Sequence, residues 1–273
     1  MLEPLNRTDL TAYLARIGYA GTPSADLPTL KAIHSAHVQM IPFENLDIQL
    51  GQAPSLDLDL IFAKLVTRRR GGWCYEMNGL LGAALAAIGF EVTRMSGWVL
   101  RDERTDSGFG THLCLRVMLD QPYLADAGFG AALLYPIALA ESAARQDPLP
   151  VALRRTPDQH WQFAVQIGGR TMTYDFADAP GDEAEFAAKC DWQGRDPASV
   201  FVQNLVVQHR RHGAHEMLRG KVLTRTTAAG VIARELASAG ELTATLLGTF
   251  GLDLPAAATL WPAIDTRHAA LLA

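Results

Sequence analysis

Arg68-Arg69-Arg70-Gly71-Gly72-Trp73-Cys74-Tyr75-Glu76-Met77-Asn78-Gly79-Leu80-Leu81 runs from a basic cluster through a Gly-Gly break into a cysteine and an apolar periodicity. Met77, Leu80, Leu81, Ala84, Leu85 and Ile88 fall at i, i+3, i+4, i+7, i+8 and i+11, the spacing of a helix with a buried stripe. Gly89 stands where such a helix stops. Cys74 lies three residues before Met77, so it projects along the buried stripe. It also occupies the first turn, where unpaired N–H groups and the helix dipole favour an anion. Those surroundings point to a thiol with a lowered pKa and nucleophilic character. A small hydrophobe packed at a helix start is the other reading of the same cysteine.

Bulk properties narrow the field. The chain has 273 residues, 49% hydrophobic and 19% charged, an ordinary globular composition long enough for two or three lobes. A net charge of −5 argues against a general nucleic-acid binder. Three cysteines, at 74, 114 and 190, are too few and scattered for a disulfide framework, and no CxxC or compact Cys/His spacing suggests zinc. The N-terminus lacks a basic segment followed by an apolar run, and no apolar run approaches bilayer length. A reducing cytoplasm, with Cys74 a free thiol, is the expectation.

N-terminal to the opening stretch, the pattern is helical. Thr8 and Asp9 are candidate caps for a helix with Leu10, Tyr13, Leu14 and Ile17 on one face. A second helix is expected over 28–40 and a third over 58–67, with the Cys74 helix the fourth. His34 and His37 have an i, i+3 spacing that suits a metal, but no carboxylate supports it, so both read as packing histidines. Between the second and third helices lies Pro42-Phe43-Glu44-Asn45, a polar pair after a helix-breaking proline. C-terminal to Gly89 the texture turns to strands: 90–95, 97–100, 111–119, 123–126, 161–167 and 171–176, the pattern of an antiparallel sheet or barrel. Residues 181–197 read as a connector or short helix. Residues 200–208 read as a strand whose hairpin partner is 222–227, followed by helices over 228–237 and 241–250 with a stripe of Leu242, Leu246, Leu247 and Phe250.

A cysteine nucleophile needs a base and a group to orient that base. Among eight histidines, His112 stands out at the start of a strand after a flexible loop, and Asp126 ends an apolar strand before Gly128-Phe129-Gly130. A tight turn centred between Asp120 and Gln121 sets 129, not 126, opposite 112 and gives 126 the wrong pleat parity. A bulge or an earlier turn centre is required for His112 and Asp126 to meet. A surface histidine and a turn-forming aspartate are the bland readings.

Arg70-Gly71-Gly72-x-Cys74-x-Glu76, Pro42-Phe43-Glu44-Asn45, Thr111-His112, Asp126-x-Gly128-Phe129-Gly130, Phe201-x-x-Asn204-Leu205 and Leu218-Arg219-Gly220, in their order along nearly the whole chain, resemble the arylamine N-acetyltransferases. The resemblance implies an α+β multi-lobe fold: a helical bundle over 1–88, an antiparallel β-barrel over 89–185, and a connector with an α/β lid over 186–273, around a cysteine-protease-like core. It implies ping-pong acetyl transfer from acetyl-coenzyme A to an arylamine, arylhydrazine or hydrazine, with Cys74 as acetylated nucleophile, His112 as base, Asp126 as orienter and no metal. Thr111, Gly128, Gly130 and Trp98 are then expected along the coenzyme cleft, and Phe43, Phe129 and Phe201 along the acceptor pocket. A thiolate–imidazolium pair is the expected resting form. Met77 replaces a glutamine and Ala131 a glycine common in the family, which bears on pocket shape. Competing readings are an amide synthase using a larger or carrier-bound thioester, a thiol hydrolase of protease or transglutaminase type, and a non-catalytic binding module.

Overall fold

A computed structural model describes residues 3–52, 54–103, 108–130, 133–167 and 169–272. Ala131 and Gly168, and part of the loop before His112, lie outside the described residues. The first helix, α1 (Arg7–Ile17), is capped by Asn6, whose side chain accepts from the Asp9 N–H. The expected caps, Thr8 and Asp9, are already inside the helix, because Asn6 supplies the acceptor one position before Arg7. Asp26 caps α2 (Leu27–Met40) by accepting from the Thr29 N–H. The segment Pro42–Asn45 contributes a short strand, β1 (Phe43–Glu44), then α3 (Leu46–Gln49). α4 (Leu58–Phe62) runs on as a π-helical turn over Ala63–Thr67. α5 (Cys74–Ile88) begins at the cysteine and ends at Gly89 in the left-handed conformation, as its periodicity predicts.

Next come β2 (Glu91–Val99), β3 (His112–Met118), β4 (Pro122–Ala125), β5 (Ile137–Ala138), β6 (Ser142–Gln146), β7 (Leu149–Arg155), β8 (Trp161–Ile167) and β9 (Arg170–Phe176). They form one antiparallel sheet, curled into a half-barrel, in the order β5-β4-β3-β2-β9-β8-β7-β6. Strands β5–β7 are not anticipated by the sequence pattern, because prolines and short runs blur the alternation there. The expected pair 90–95 and 97–100 is a single strand that passes through Gly97, where a Cβ would meet His112 Cβ at 3.2 Å.

The rest departs further from the sequence expectation. The connector or short helix expected over 181–197 is an exception, since residues 183–195 do form a helix, α6 (Glu183–Arg195), capped by Asp182. The expected strand 200–208 divides into α7 (Val200–Gln203), capped by Ser199, and β10 (Val206–Arg211). β10 pairs with β11 (Ala214–Arg219) across Gly213, and β12 (Val222–Thr227) pairs with β11 instead of with β10. The expected helix over 228–237 is the exposed edge strand β13 (Gly230–Glu235), since the turn before it returns the chain onto β12. α8 (Ala239–Phe250) buries Leu242, Leu246 and Phe250 but leaves Leu247 exposed. A 3-10 turn over Pro255–Leu260 leads into α9 (Trp261–Leu272).

These last strands form a second antiparallel sheet, β1-β10-β11-β12-β13, so the Phe43–Glu44 segment of the helical lobe is stitched to the C-terminal lobe. Three apolar cores result: one under α1, α2 and α5, one inside the half-barrel, and one beneath α8 and α9. A fourth cluster joins them at Phe43, Trp73, Cys74, Tyr75, Leu113, Phe186 and Cys190. The nucleophile candidate therefore sits where all three lobes meet. No helix among the described residues is long and apolar enough to cross a membrane.

Candidate active site

Cys74 is the first residue of α5, and the chain reaches it through two glycines that leave no room for a side chain. A Cβ on Gly71 would lie 2.2 Å from the Pro42 carbonyl oxygen, and one on Gly72 would lie 2.8 Å from Glu76 Oε2. Neither glycine has a positive φ, so close approach, and not the freedom of a tight turn, accounts for both. Glu44 N–H donates to the Gly72 carbonyl (2.9 Å) and Gly72 N–H to the Pro42 carbonyl (3.2 Å), which fixes the approach from the β1 side.

A buried charge cluster anchors the same turn. Glu76 Oε2 accepts from the Trp73 N–H at 3.1 Å, and both Glu76 oxygens accept from Lys64 Nζ at 2.9 Å. Arg70 reaches Glu44 at 2.7 and 3.0 Å and Asp47 at 2.7 Å, while Lys64 also pairs with Asp47 at 2.9 Å. Arg70 and Glu76, the flanks of the cysteine motif, are thus joined through Asp47 and Lys64 on neighbouring helices. Arg68 and Arg69 are exposed.

On the half-barrel side, His112 Nε2 lies 2.8 Å from Asp126 Oδ2, and both residues are buried to 1% exposure. The register problem is solved by an earlier turn centre. Leu115 pairs with Ala125 and Met118 with Pro122, so the turn is centred on Asp120 itself. With that half-residue shift, 112 and 126 share pleat parity and face each other diagonally across the end of the ladder. No bulge is needed.

Asn78, one turn beyond Cys74 on α5, locks this arrangement and is not among the residues that the sequence alone singles out. Its Nδ2 donates to Asp126 Oδ1 (2.7 Å) and the Leu113 carbonyl (2.6 Å), and its Oδ1 accepts from the Ala127 N–H (2.9 Å). The i+4 spacing from Cys74 on one helix face is the signal that could have found it. Asp126 Oδ1 also accepts from the Gly128 N–H at 2.8 Å. Burial alone would raise the Asp126 carboxyl, but His112, Asn78 and Tyr174 outweigh it and hold the group below the ordinary range. Tyr174 packs its ring on His112 at 4.5 Å, and its buried hydroxyl couples electrostatically to Asp126 and Cys114.

Cys74 is 3% exposed. Burial pushes its thiol up, Cys190 and Asp126 add to the rise, and the backbone N–H groups of Leu113 and Tyr75 work the other way. The helix start therefore does not by itself supply the easily ionised thiol expected from the sequence: desolvation of the thiolate outweighs the favourable N–H groups. With Asp126 bonded to Nε2, His112 has Nδ1 left over for a reacting group, and that nitrogen carries a lone pair when Nε2–H donates to the carboxylate.

The remaining expected residues fall into separate groups. Gly128 packs on the nucleophile's backbone, where a Cβ would lie 2.6 Å from Cys74 Cα. Gly130 has φ +56° and abuts the Gln208 amide. Thr111 is buried; its Oγ1 accepts from the Val99 N–H at 3.1 Å, and its carbonyl accepts from Gln193 Nε2 at 2.9 Å. Trp98 follows Gly97, the residue paired with His112, and meets Phe109 edge-on with the Arg101 guanidinium over its ring. Phe43 and Phe201 meet at 6.2 Å, with Trp73 5.5 Å from Phe201. Phe129 lies across the site on His112 and Tyr174, at 5.3 and 4.8 Å, and no ring contact among the described residues links it to the Phe43 group. Asn45, from the polar pair, donates to the Phe201 and Asn204 carbonyls at 2.8 Å, which places Phe201. Met77 is fully buried in the helical core beneath α5. Among the described residues no group of His, Cys, Asp and Glu is arranged to hold a metal ion. A cavity of about 500 Å³ opens on the other face of α5, between Asn6, Asp57, Tyr75 and Arg94, and contains none of Cys74, His112 or Asp126.

Comparison with known proteins gives this geometry a family. The sequence profile described as N-acetyltransferase matches residues 26–259. The arylamine N-acetyltransferase of Mycolicibacterium smegmatis is 39% identical over 255 residues, spanning 90% of this chain and 92% of that protein. Among solved structures, the arylamine N-acetyltransferase of Mycobacterium marinum superposes with a TM-score of 0.86 at 30% identity, covering 94% of this chain and 98% of that one. The same enzyme in complex with CoA gives 0.85 at 30% identity, with the same coverage. The chain belongs to the arylamine N-acetyltransferase family.

Proposed function

We propose that this chain transfers an acetyl group from acetyl-coenzyme A to the nitrogen of an aromatic amine or hydrazine through a thioester on Cys74. His112 Nδ1 takes the thiol proton as Cys74 Sγ attacks the acetyl carbonyl carbon. The C–S bond to coenzyme A breaks, and the departing thiolate takes the proton from the imidazolium to leave as the free thiol. The acceptor nitrogen then attacks the Cys74 thioester carbonyl. The C–S bond to Cys74 breaks, and the amine proton passes through His112 to restore the thiol. Asp126 keeps the histidine in the tautomer that exposes a lone pair at Nδ1 and stabilises the imidazolium between the two proton transfers. Because burial opposes a lone thiolate, ionisation of Cys74 is coupled to charging of His112, each charge stabilising the other.

The observation that carries this reading is the buried His112–Asp126 pair at 2.8 Å, held by Asn78 from the helix that begins at Cys74. Phe129 on one side and Phe43 with Phe201 on the other are the proposed walls for a flat acceptor. Thr111, Gly128, Gly130 and Trp98 are the proposed coenzyme contacts. Three free thiols suit a reducing compartment, so the cytoplasm is the proposed location. Incubation with acetyl-coenzyme A and an arylhydrazine should release free coenzyme A, and Cys74→Ala should abolish the release. Normal turnover by the Cys74→Ala protein would overturn the thioester mechanism.

A further inference from the structure

We propose that His34 is a positioning residue for this reaction: it holds the chain at Asp126, setting the carboxylate that orients His112, and again at Leu134, so that Phe129 lies between two fixed points of the chain. His34 lies on α2, in the helical lobe, and is completely buried. Its Nε2 is 3.1 Å from the Asp126 backbone N, and its Nδ1 is 3.3 Å from the Leu134 carbonyl oxygen. An amide N–H can only donate and a carbonyl oxygen can only accept, so these partners dictate one neutral tautomer, with the proton on Nδ1 and the lone pair on Nε2. Burial pushes the imidazole down to about 4, in keeping with a neutral ring at physiological pH. One ring therefore binds the chain at a point before, and a point after, Gly128, Phe129 and Gly130.

Leu134 is also gripped from the half-barrel. Gln146 Oε1 accepts from the Leu134 and Tyr135 N–H groups at 2.6 and 2.8 Å. At the other point Asp126 spends its side chain on His112, Asn78 and Gly128, so its backbone N–H depends on His34. The packing role expected from the i, i+3 pair of histidines thus splits. His37 bonds Tyr13 at 2.9 Å inside the helical core, whereas His34 reaches across to the loop of the reacting residues.

The inference rests on the thioester reading above, and its two contacts can be cut separately. In a helix, an asparagine amide nitrogen sits near the place of the imidazole Nδ1, and a glutamine amide oxygen reaches near that of Nε2. His34→Gln keeps an acceptor for Asp126, His34→Asn keeps a donor for Leu134, and His34→Leu removes both. Two quantities are read alongside thermal melting: the burst of coenzyme A released without acceptor, which reports thioester formation, and the KM for an arylhydrazine. His34→Asn should slow the burst about tenfold or more with KM little changed, since small displacements of reacting groups carry such penalties. His34→Gln should leave the burst near that of the parent protein and raise KM about tenfold, by the same reasoning about misplaced groups. His34→Leu should show both defects. Identical profiles for the Asn and Gln variants, or losses that vanish on correcting for folded fraction, would overturn the positioning role. A burst from a Cys74→Ala control would instead overturn the thioester reading, and the inference with it.

Discussion

Two buried polar clusters flank the start of α5, and they are assembled by opposite rules. Behind Cys74, Arg70 and Lys64 meet Glu44, Asp47 and Glu76, and the two cations share the three carboxylates between them. On the other side a single carboxylate, Asp126, is surrounded by neutral or proton-sharing partners: His112, Asn78, Gly128 and, through its backbone, His34. The first cluster turns its charges on one another. The second keeps one basic atom, His112 Nδ1, outside its internal bonds. Charges fix the nucleophile's backbone; hydrogen bonds of defined direction fix a proton's address. Position and protonation are separate problems here, solved on opposite sides of one helix turn.

The sharpest way to break that division is Asp126→Asn. The Asn carboxamide can still accept through oxygen from Asn78 and Gly128, so the loop should hold. Its nitrogen then faces His112 Nε2 and must donate, which moves the imidazole proton to Nδ1 and removes the base. Acetyl transfer should fall about ten-thousandfold, the scale seen when a triad carboxylate is neutralised, with thermal stability nearly unchanged. A variant that unfolds would show that the Asp126 cluster, like its charged neighbour, serves chiefly to hold the fold.

Cutting the charged cluster should have the reverse signature. Arg70→Met strands Glu44, which is fully buried, and takes one of two cations from Asp47. Breaking a buried pair this way costs about 3–5 kcal/mol of stability. The loss should be greatest near neutral pH. Burial alone would raise the Asp47 carboxyl, but Lys64 and Arg70 more than offset this and hold it below the ordinary range. A carboxyl lowered on folding contributes stability that is present above about pH 4 and lost as pH falls through the folded value. Without Arg70 that contribution shrinks, so denaturant titrations of the two proteins should converge below about pH 4. Remaining folded molecules should still transfer acetyl groups. If activity per folded molecule collapses as well, the cluster governs more than position.

How much of this division is legible in the sequence differs from element to element. α5, its start at Cys74 and its stop at Gly89 follow from a long uninterrupted period with a glycine end. Cys74, His112 and Asp126 are legible as residue types, but their meeting depends on a half-residue shift of one turn, which pattern alone leaves open. Asn78, His34, Lys64 and Asp47 do not stand out as partners. Their roles arise from contacts between segments remote in sequence, and nothing local marks an asparagine on a buried face as a bridge. The C-terminal lobe is the least legible. Residues 228–237 contain an alanine-rich start and an Ile-Ala-Arg-Glu run that suit a helix, yet Gly230 at φ +126° begins a strand paired along β12. Tertiary pairing overrides local propensity there.

The arginine run gives the smallest and most local contrast. Arg68, Arg69 and Arg70 are alike in the sequence, but burial separates them: the first two are exposed and the third anchors Glu44 and Asp47. Arg69 moreover sits at φ +53°, in the left-handed region, because the chain must turn from the π-helical segment into the Gly71-Gly72 approach. A side chain there costs about 1 kcal/mol, against which glycine loses a comparable amount of chain entropy on folding. Arg69→Gly should therefore shift stability by no more than about 1 kcal/mol, toward stabilisation where relief of the left-handed strain outweighs the entropy, and Arg68→Ala by less than about 0.5 kcal/mol. Neither should alter coenzyme A release. A loss from Arg69→Gly approaching that of Arg70→Met would mean that the charge at 69 acts on the buried cluster from outside, and the boundary between a solvated run and a buried core would have to be drawn one residue earlier.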